Sequence, residues 1–136
     1  MIIVVTRWEA TQLSPLEEWQ LWRQMRGAFG ITRFKFVPVM DEMKQVDVDQ
    51  YATMEEALAS LDPNMPKAFL EPSGDKTMGE LPQDDLVLIC GNTDNNNTWH
   101  AGADEMYCIN TNGLTRHNHL YAPNAVAIAL AIRLGQ

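Results

Sequence analysis

Apolar and polar positions alternate between two periods along this chain. Met1–Thr6 is a β-branched apolar run and predicts a buried strand at the start. Ser14-Pro15-Leu16-Glu17 then carries a capping serine, a proline suited to the first helical position and a glutamate at the capping-box position. Leu16, Trp19, Trp22 and Met25 follow at a spacing of three, which predicts a helix ending near Gly27–Gly30. Arg33–Val39 alternates basic and apolar residues and reads as a second strand, and Asp41–Gln50 is polar and reads as a loop or short helical turn. Thr53-Met54-Glu55-Glu56 is a second capping box, opening a helix through Leu61 that Pro63 and Pro66 bound.

Lys67–Leu70 is a short third strand before the turn signal Glu71-Pro72-Ser73-Gly74. Leu86–Cys90 is the clearest buried strand and runs into an Asn-rich loop through Asn97. Glu105–Asn110 reads as a fifth strand, residues 111–121 as a polar loop, and Pro123 opens a final helix with Ala125, Val126, Ile128, Ala129 and Ile132 on its apolar face. A helical turn near Trp99 is a further possibility of the pattern. Strands that alternate with helices predict an α/β fold, a mostly parallel sheet with helices on both faces, in one domain spanning 1–136. Ligands of such sheets sit beyond the carboxyl ends of strands, here Glu71–Gly74, Gly91–Asn97 and Ile109–Tyr121.

Composition is that of an ordinary globular chain: 136 residues, 46% hydrophobic and 21% charged, which argues against disorder or a coiled coil. Two cysteines make no disulfide framework, and no apolar run reaches the ~18–20 residues of a membrane span, so a soluble, cytoplasmic protein is expected. The net charge of −8 argues against simple salt-driven binding to nucleic acid, and no DNA partner is expected. The charge is uneven. Residues 1–35 carry five basic against three acidic residues, net +2, and the rest carry five against fifteen, net −10. Any surface that meets a phosphate backbone is therefore expected from the first 35 residues, unless those charges are simply scattered solvated faces.

No glycine-rich phosphate loop and no nucleophile elbow is present. Cys90 and Cys108 read as small buried hydrophobes. His100, His117 and His119 fit no zinc spacing, and no metal is expected. Trp19 and Trp22, at helical spacing, read as core or dimer contacts rather than base-stacking platforms.

Three segments taken together are similar to one family. Leu86-Val-Leu-Ile-Cys-Gly91-Asn92-Thr93-Asp94, then Tyr107-Cys-Ile109-Asn110-Thr111, then Leu120-Tyr-Ala-Pro-Asn124-Ala-Val-Ala-Ile-Ala-Leu resemble the knot region of the SPOUT methyltransferases, closest to the small tRNA ribose 2′-O-methyltransferases. The resemblance implies a C-terminal trefoil knot, in which the chain beyond about Gly113 passes through the loop around the Asn-rich segment. It implies S-adenosylmethionine as cofactor, tRNA as substrate and a homodimer with an active site shared across the interface. Leu70, Glu71, Gly91, Asn92, Ile109, Leu120 and Asn124 then correspond to the cofactor site. The family's catalytic arginine matches Arg23, which would orient a ribose 2′-hydroxyl. The final helix and Trp19/Trp22 would supply the dimer surface. The chain departs from the family where Pro15–Leu21 lacks the N-x-G element, where Thr93 replaces a glutamate, and where Leu120-Tyr121-Ala122-Pro123 replaces a hydroxyl- and amide-bearing run. A second reading is therefore a knotted dimer that binds the cofactor or a partner without transferring methyl groups. A third is an unrelated small α/β domain whose strand ends mimic the motifs.

Overall fold

The run IIVVTR becomes the central strand β1 (Ile2–Arg7), and its alternation assigns the two faces of the sheet. Ile2 and Val4 belong to one apolar cluster, Ile3 and Val5 to the other. The computed structural model describes residues 1–8, 13–44, 47–70, 76–90 and 122–135. Within these, β2 (Arg33–Val37), β3 (Val48–Gln50), β4 (Lys67–Leu70) and β5 (Leu86–Cys90) complete a sheet of order β3-β2-β1-β5-β4. Every pairing in it is parallel, as continuous apolar strands require when helices cover both faces.

Helices α1 (Pro15–Phe29) and α3 (Ala122–Leu134) share one face and α2 (Met54–Ala59) covers the other. Helix α1 starts and stops where its sequence dictates. The Ser14 hydroxyl accepts the Glu17 N–H at 3.2 Å, and Gly30, at φ 71°, closes the helix in the left-handed conformation that costs glycine little. The Thr53 side chain accepts from the Glu56 N–H at 3.2 Å and starts α2 in the same way. That helix ends at Ala59 rather than Leu61, although Leu61 is still buried.

Three expectations change. The buried residues of α1 are Glu18, Trp19, Trp22 and Met25, while Leu16 is 58% exposed. A spacing of exactly three falls behind the 3.6-residue turn, so Leu16 and Met25 end up on opposite sides of the helix. Trp19 and Trp22 are buried against Phe34 and Phe36 with ring centroids 5.5–6.4 Å apart, so they belong to the protomer's own core and not to a dimer surface. Within the segment read as a loop or turn, a 3-10 turn at Asp41–Met43 is followed by the edge strand β3. Its sequence VDQ has no apolar run, and its place is set by backbone bonds to β2, Phe34 N–H to the Asp47 carbonyl and Tyr51 N–H to the Phe36 carbonyl. The fifth strand expected at 105–110, the turn near Trp99 and the knot crossing lie outside the described residues.

The last helix is held by a contact that the apolar pattern does not show. Arg133 is 8% exposed and donates to the carbonyls of Pro82, Gln83 and Asp84, each at 2.6 Å. It anchors the carboxyl end of α3 to the loop that leads into β5. Among the described residues no helix is long and apolar enough to cross a membrane.

Candidate functional site

The sheet reverses direction at its centre. From β1 the chain moves outward to β2 and β3, then crosses to β4 at the opposite edge and returns to β5 beside β1. Strand order thus changes between β1 and β5, and in open parallel sheets the crevice beyond the carboxyl ends at such a point is the binding site. Val5 pairs with Ile89 and Leu70 with Cys90, so Thr6, Cys90 and Leu70 lie at one level across that edge. Arg7 stands one residue beyond them.

Of the sequence-predicted cofactor residues, Leu70 and Asn124 are described. Leu70 is half-buried at the last position of β4, against the cluster that includes Cys90 and Ala122. Asn124 is exposed in the first turn of α3. Glu71, Gly91, Asn92, Ile109 and Leu120 lie outside the described residues, as do Cys108 and the three histidines. Cys90 is buried at the end of β5. Among the described residues no cluster of acidic, histidine or cysteine side chains could hold a metal.

Arg23 is exposed on α1, and among the described residues it makes no hydrogen bond or ion pair. Its helical position, four after Trp19 and three before Arg26, puts it on the flank facing β2 and β3. Trp19 packs edge-on against Phe34, and Arg26 pairs with Asp47 just before β3. Leu70 lies on β4, three strand spacings from β2, or about 14 Å. Arg23 and Leu70 are thus carried on elements at opposite sides of the central strand β1.

The basic N-terminal segment is mostly neutralised by acids that follow it. Arg33 donates to Asp49 through Nε at 2.9 Å and Nη2 at 2.6 Å, and Lys35 reaches Asp49 at 3.5 Å and the Tyr51 hydroxyl at 3.0 Å. The bidentate Arg33 bond, reinforced by the Arg33 and Lys35 charges, holds the Asp49 carboxyl below its ordinary range. Asp49 in turn raises the Arg33 guanidinium above its ordinary value. With Arg26 on Asp47, three of the five basic residues of positions 1–35 are committed to acids at the β3 edge. Arg7 and Arg23 remain.

Sequence reasoning passed over two polar groups near this edge. Glu18 is fully buried, and its carboxylate accepts the Trp22 indole N–H at 2.9 Å. Their i, i+4 spacing was the available signal. Trp8 is 4% exposed and stacked on Phe36 at 3.9 Å, and its Nε1 has no hydrogen-bond partner among the described residues.

The described residues define a three-layer α/β protein with a parallel sheet, a class in which ligands commonly bind at the carboxyl edge. No protein-family model matches the chain, and no curated protein matches it. Among solved structures it is similar to a Bacillus anthracis protein described as a candidate RNA methyltransferase, with a TM-score of 0.68, 15% identity, and coverage of 99% of this chain and 93% of that one. At that identity the shared property is the fold.

Proposed function

We propose that this protein is an S-adenosylmethionine-dependent RNA methyltransferase with a SPOUT-type knotted fold, acting on a tRNA ribose 2′-hydroxyl. The observation that carries the reading is the likeness to the Bacillus anthracis protein over nearly the whole of both chains. The resemblance of 86–94, 107–111 and 120–130 to one family supports it independently, because it rests on residue types along the chain from β5 onward rather than on the fold.

In this reading Leu70 forms one edge of an adenosine slot. Leu70 offers a half-buried apolar edge beside Cys90 and Ala122, without charged groups of its own. A bound sulfonium cofactor supplies the activated methyl group. The protein's share is to hold the hydroxyl in line with it. A guanidinium is a hydrogen-bond donor in a fixed planar fork, so the role of Arg23 in this reading is to orient that hydroxyl. Glu71, Gly91, Asn92, Ile109, Leu120 and Asn124 complete the proposed cofactor site.

The placement of Arg23 and Leu70 on elements at opposite sides of β1 supports an active site shared by two copies. Helix α3 supports the same assembly. Its single charged residue, Arg133, is turned inward, and Ala131 and Leu134 face solvent on a helix that is apolar all round. A surface of this kind is commonly covered by a partner. The protein acts in the cytoplasm in this reading.

The second reading, a cofactor-binding dimer without transferase activity, is favoured by Thr93, Tyr121, Pro123 and the missing N-x-G element. Calorimetric titration with S-adenosylmethionine tests both, and no heat of binding at millimolar ligand overturns them. Labelled methyl transfer to bulk tRNA then separates them, since only the first reading expects incorporation.

A further inference from the structure

Gly27 lies in the last turn of α1. It is exposed, and a β-carbon there would meet no atom of the described residues within 4 Å. Glycine at an exposed helical position lowers stability relative to alanine, because it loses more backbone freedom on folding. Neither backbone conformation nor packing offsets that loss here. The helix is closed by Gly30, the residue that takes the left-handed φ of 71°. Gly27 is not in that conformation, and alanine adopts the helical one more readily.

What Gly27 adjoins is Arg23. The helical neighbours of position 23 are Trp19, Gln20, Arg26 and Gly27, and none of them is acidic. Trp19 is buried, and Arg26 lies over its ring at 6.0 Å while paired with Asp47, so this flank of the helix is fixed to the sheet. Gln20, Arg23 and Gly27 are exposed together. Side chains on a helix lean toward its N-terminus, so a side chain at 27 would cover the surface at the base of Arg23. Glycine leaves that surface clear down to the backbone. The patch is bounded by a guanidinium, an uncharged amide and bare helix. It suits a group that brings acceptors and negative charge close to the helix.

We infer that Gly27 seats the sugar–phosphate strand of the RNA against α1, so that the target ribose reaches Arg23. This deepens the RNA-methyltransferase reading and rests on it: Arg23 orients the hydroxyl, and Gly27 admits the strand that carries it. Charge favours RNA over a second copy of the chain as the occupant. A two-fold contact centred on this patch would set Arg23 against its own copy, like charge against like.

The wild type, Gly27→Ala and Gly27→Gln are compared for unfolding temperature, bulk tRNA affinity, methyl transfer, cofactor affinity and sedimentation. Gly27→Ala should raise the unfolding temperature by about 3 °C, as expected for alanine in place of an exposed helical glycine. Gly27→Gln should bind tRNA about tenfold more weakly, the order of one charged hydrogen bond lost, with Gly27→Ala in between. Methyl transfer should fall through KM more than kcat, the pattern of a lost substrate contact. Cofactor affinity and oligomeric state should be unchanged. A lowered unfolding temperature in Gly27→Ala overturns the assignment, because the protomer itself then needs the glycine. Loss of self-association together with tRNA affinity also overturns it and gives the patch to a second copy. A wild type that neither binds nor methylates tRNA overturns the function together with the contact. A wild type that methylates tRNA, with Gly27→Gln equal to it in affinity and KM, overturns the contact alone.

Discussion

The β3 edge and the carboxyl end of β1 are both built from the basic N-terminal segment, yet they differ in what their cations do. At the β3 edge, Arg26, Arg33 and Lys35 are met by Asp47 and Asp49. At the end of β1, Arg7 meets no acid among the described residues, and neither does Arg23 on α1. Cations neutralised inside the fold contribute to its stability and little to attracting a polyanion. Those left unpaired remain able to bind one. The excess of two positive charges in residues 1–35 therefore overstates the basic surface at the β3 edge and understates the importance of two particular side chains.

The largest test of this contrast uses Arg133, the arginine whose donors are most completely taken. Replacing it with Met should leave three carbonyls without their donor and cost about 3 kcal/mol in urea unfolding. Arg7→Met, which removes no side-chain bond among the described residues, should cost less than about 1 kcal/mol. Equal costs would break the distinction between satisfied and unsatisfied arginines.

Next is activity. Arg23→Ala should lower methyl transfer to bulk tRNA about a hundredfold, the order expected when a reacting group is misplaced. Arg33→Gln should leave transfer within about twofold. A comparable loss in Arg33→Gln would move the functional surface to the β3 edge.

A smaller effect is expected from Asp49→Asn. About 1 kcal/mol should be lost near neutral pH, modest because both Asp49 and Arg33 are partly in solvent. The folded Asp49 has a lowered pKa, so its contribution is fully present above the ordinary carboxylate pKa of ~4 and disappears as pH falls through the lowered value. Wild type and variant should therefore converge in stability only in strong acid. A gap that closes already at pH 5–6 would contradict the pairing.

The smallest is Leu16→Ala, expected to change stability by less than about 0.5 kcal/mol, since that side chain is 58% exposed. A loss comparable to a core truncation would restore Leu16 to the buried face that the period of three predicted.

Much of the fold was legible because its signals are local. Ser14-Pro15-x-Glu17 and Thr53-x-x-Glu56 contain their own caps within one turn, and the runs at 2–6 and 86–90 are too apolar to lie anywhere but in the interior. Strand β3 was not legible, since VDQ acquires its conformation from bonds to β2. Nor was the candidate site, for the same kind of reason. Leu70 could be placed at a strand end from the turn that follows it, but its level beside Cys90 and Thr6 is set by strand pairing across the sheet.

By itself, then, the sequence determined the helices, the apolar strands, the α/β class and the location of the basic excess, because these depend on neighbours along the chain. The tertiary structure alone decided that the sheet has the order β3-β2-β1-β5-β4, that Trp19 and Trp22 face inward, and that Asp47 and Asp49 neutralise Arg26, Arg33 and Lys35. Charge pairing and burial act through space, between residues 14 to 21 positions apart at the β3 edge. No pattern along the chain records which cation will find which acid.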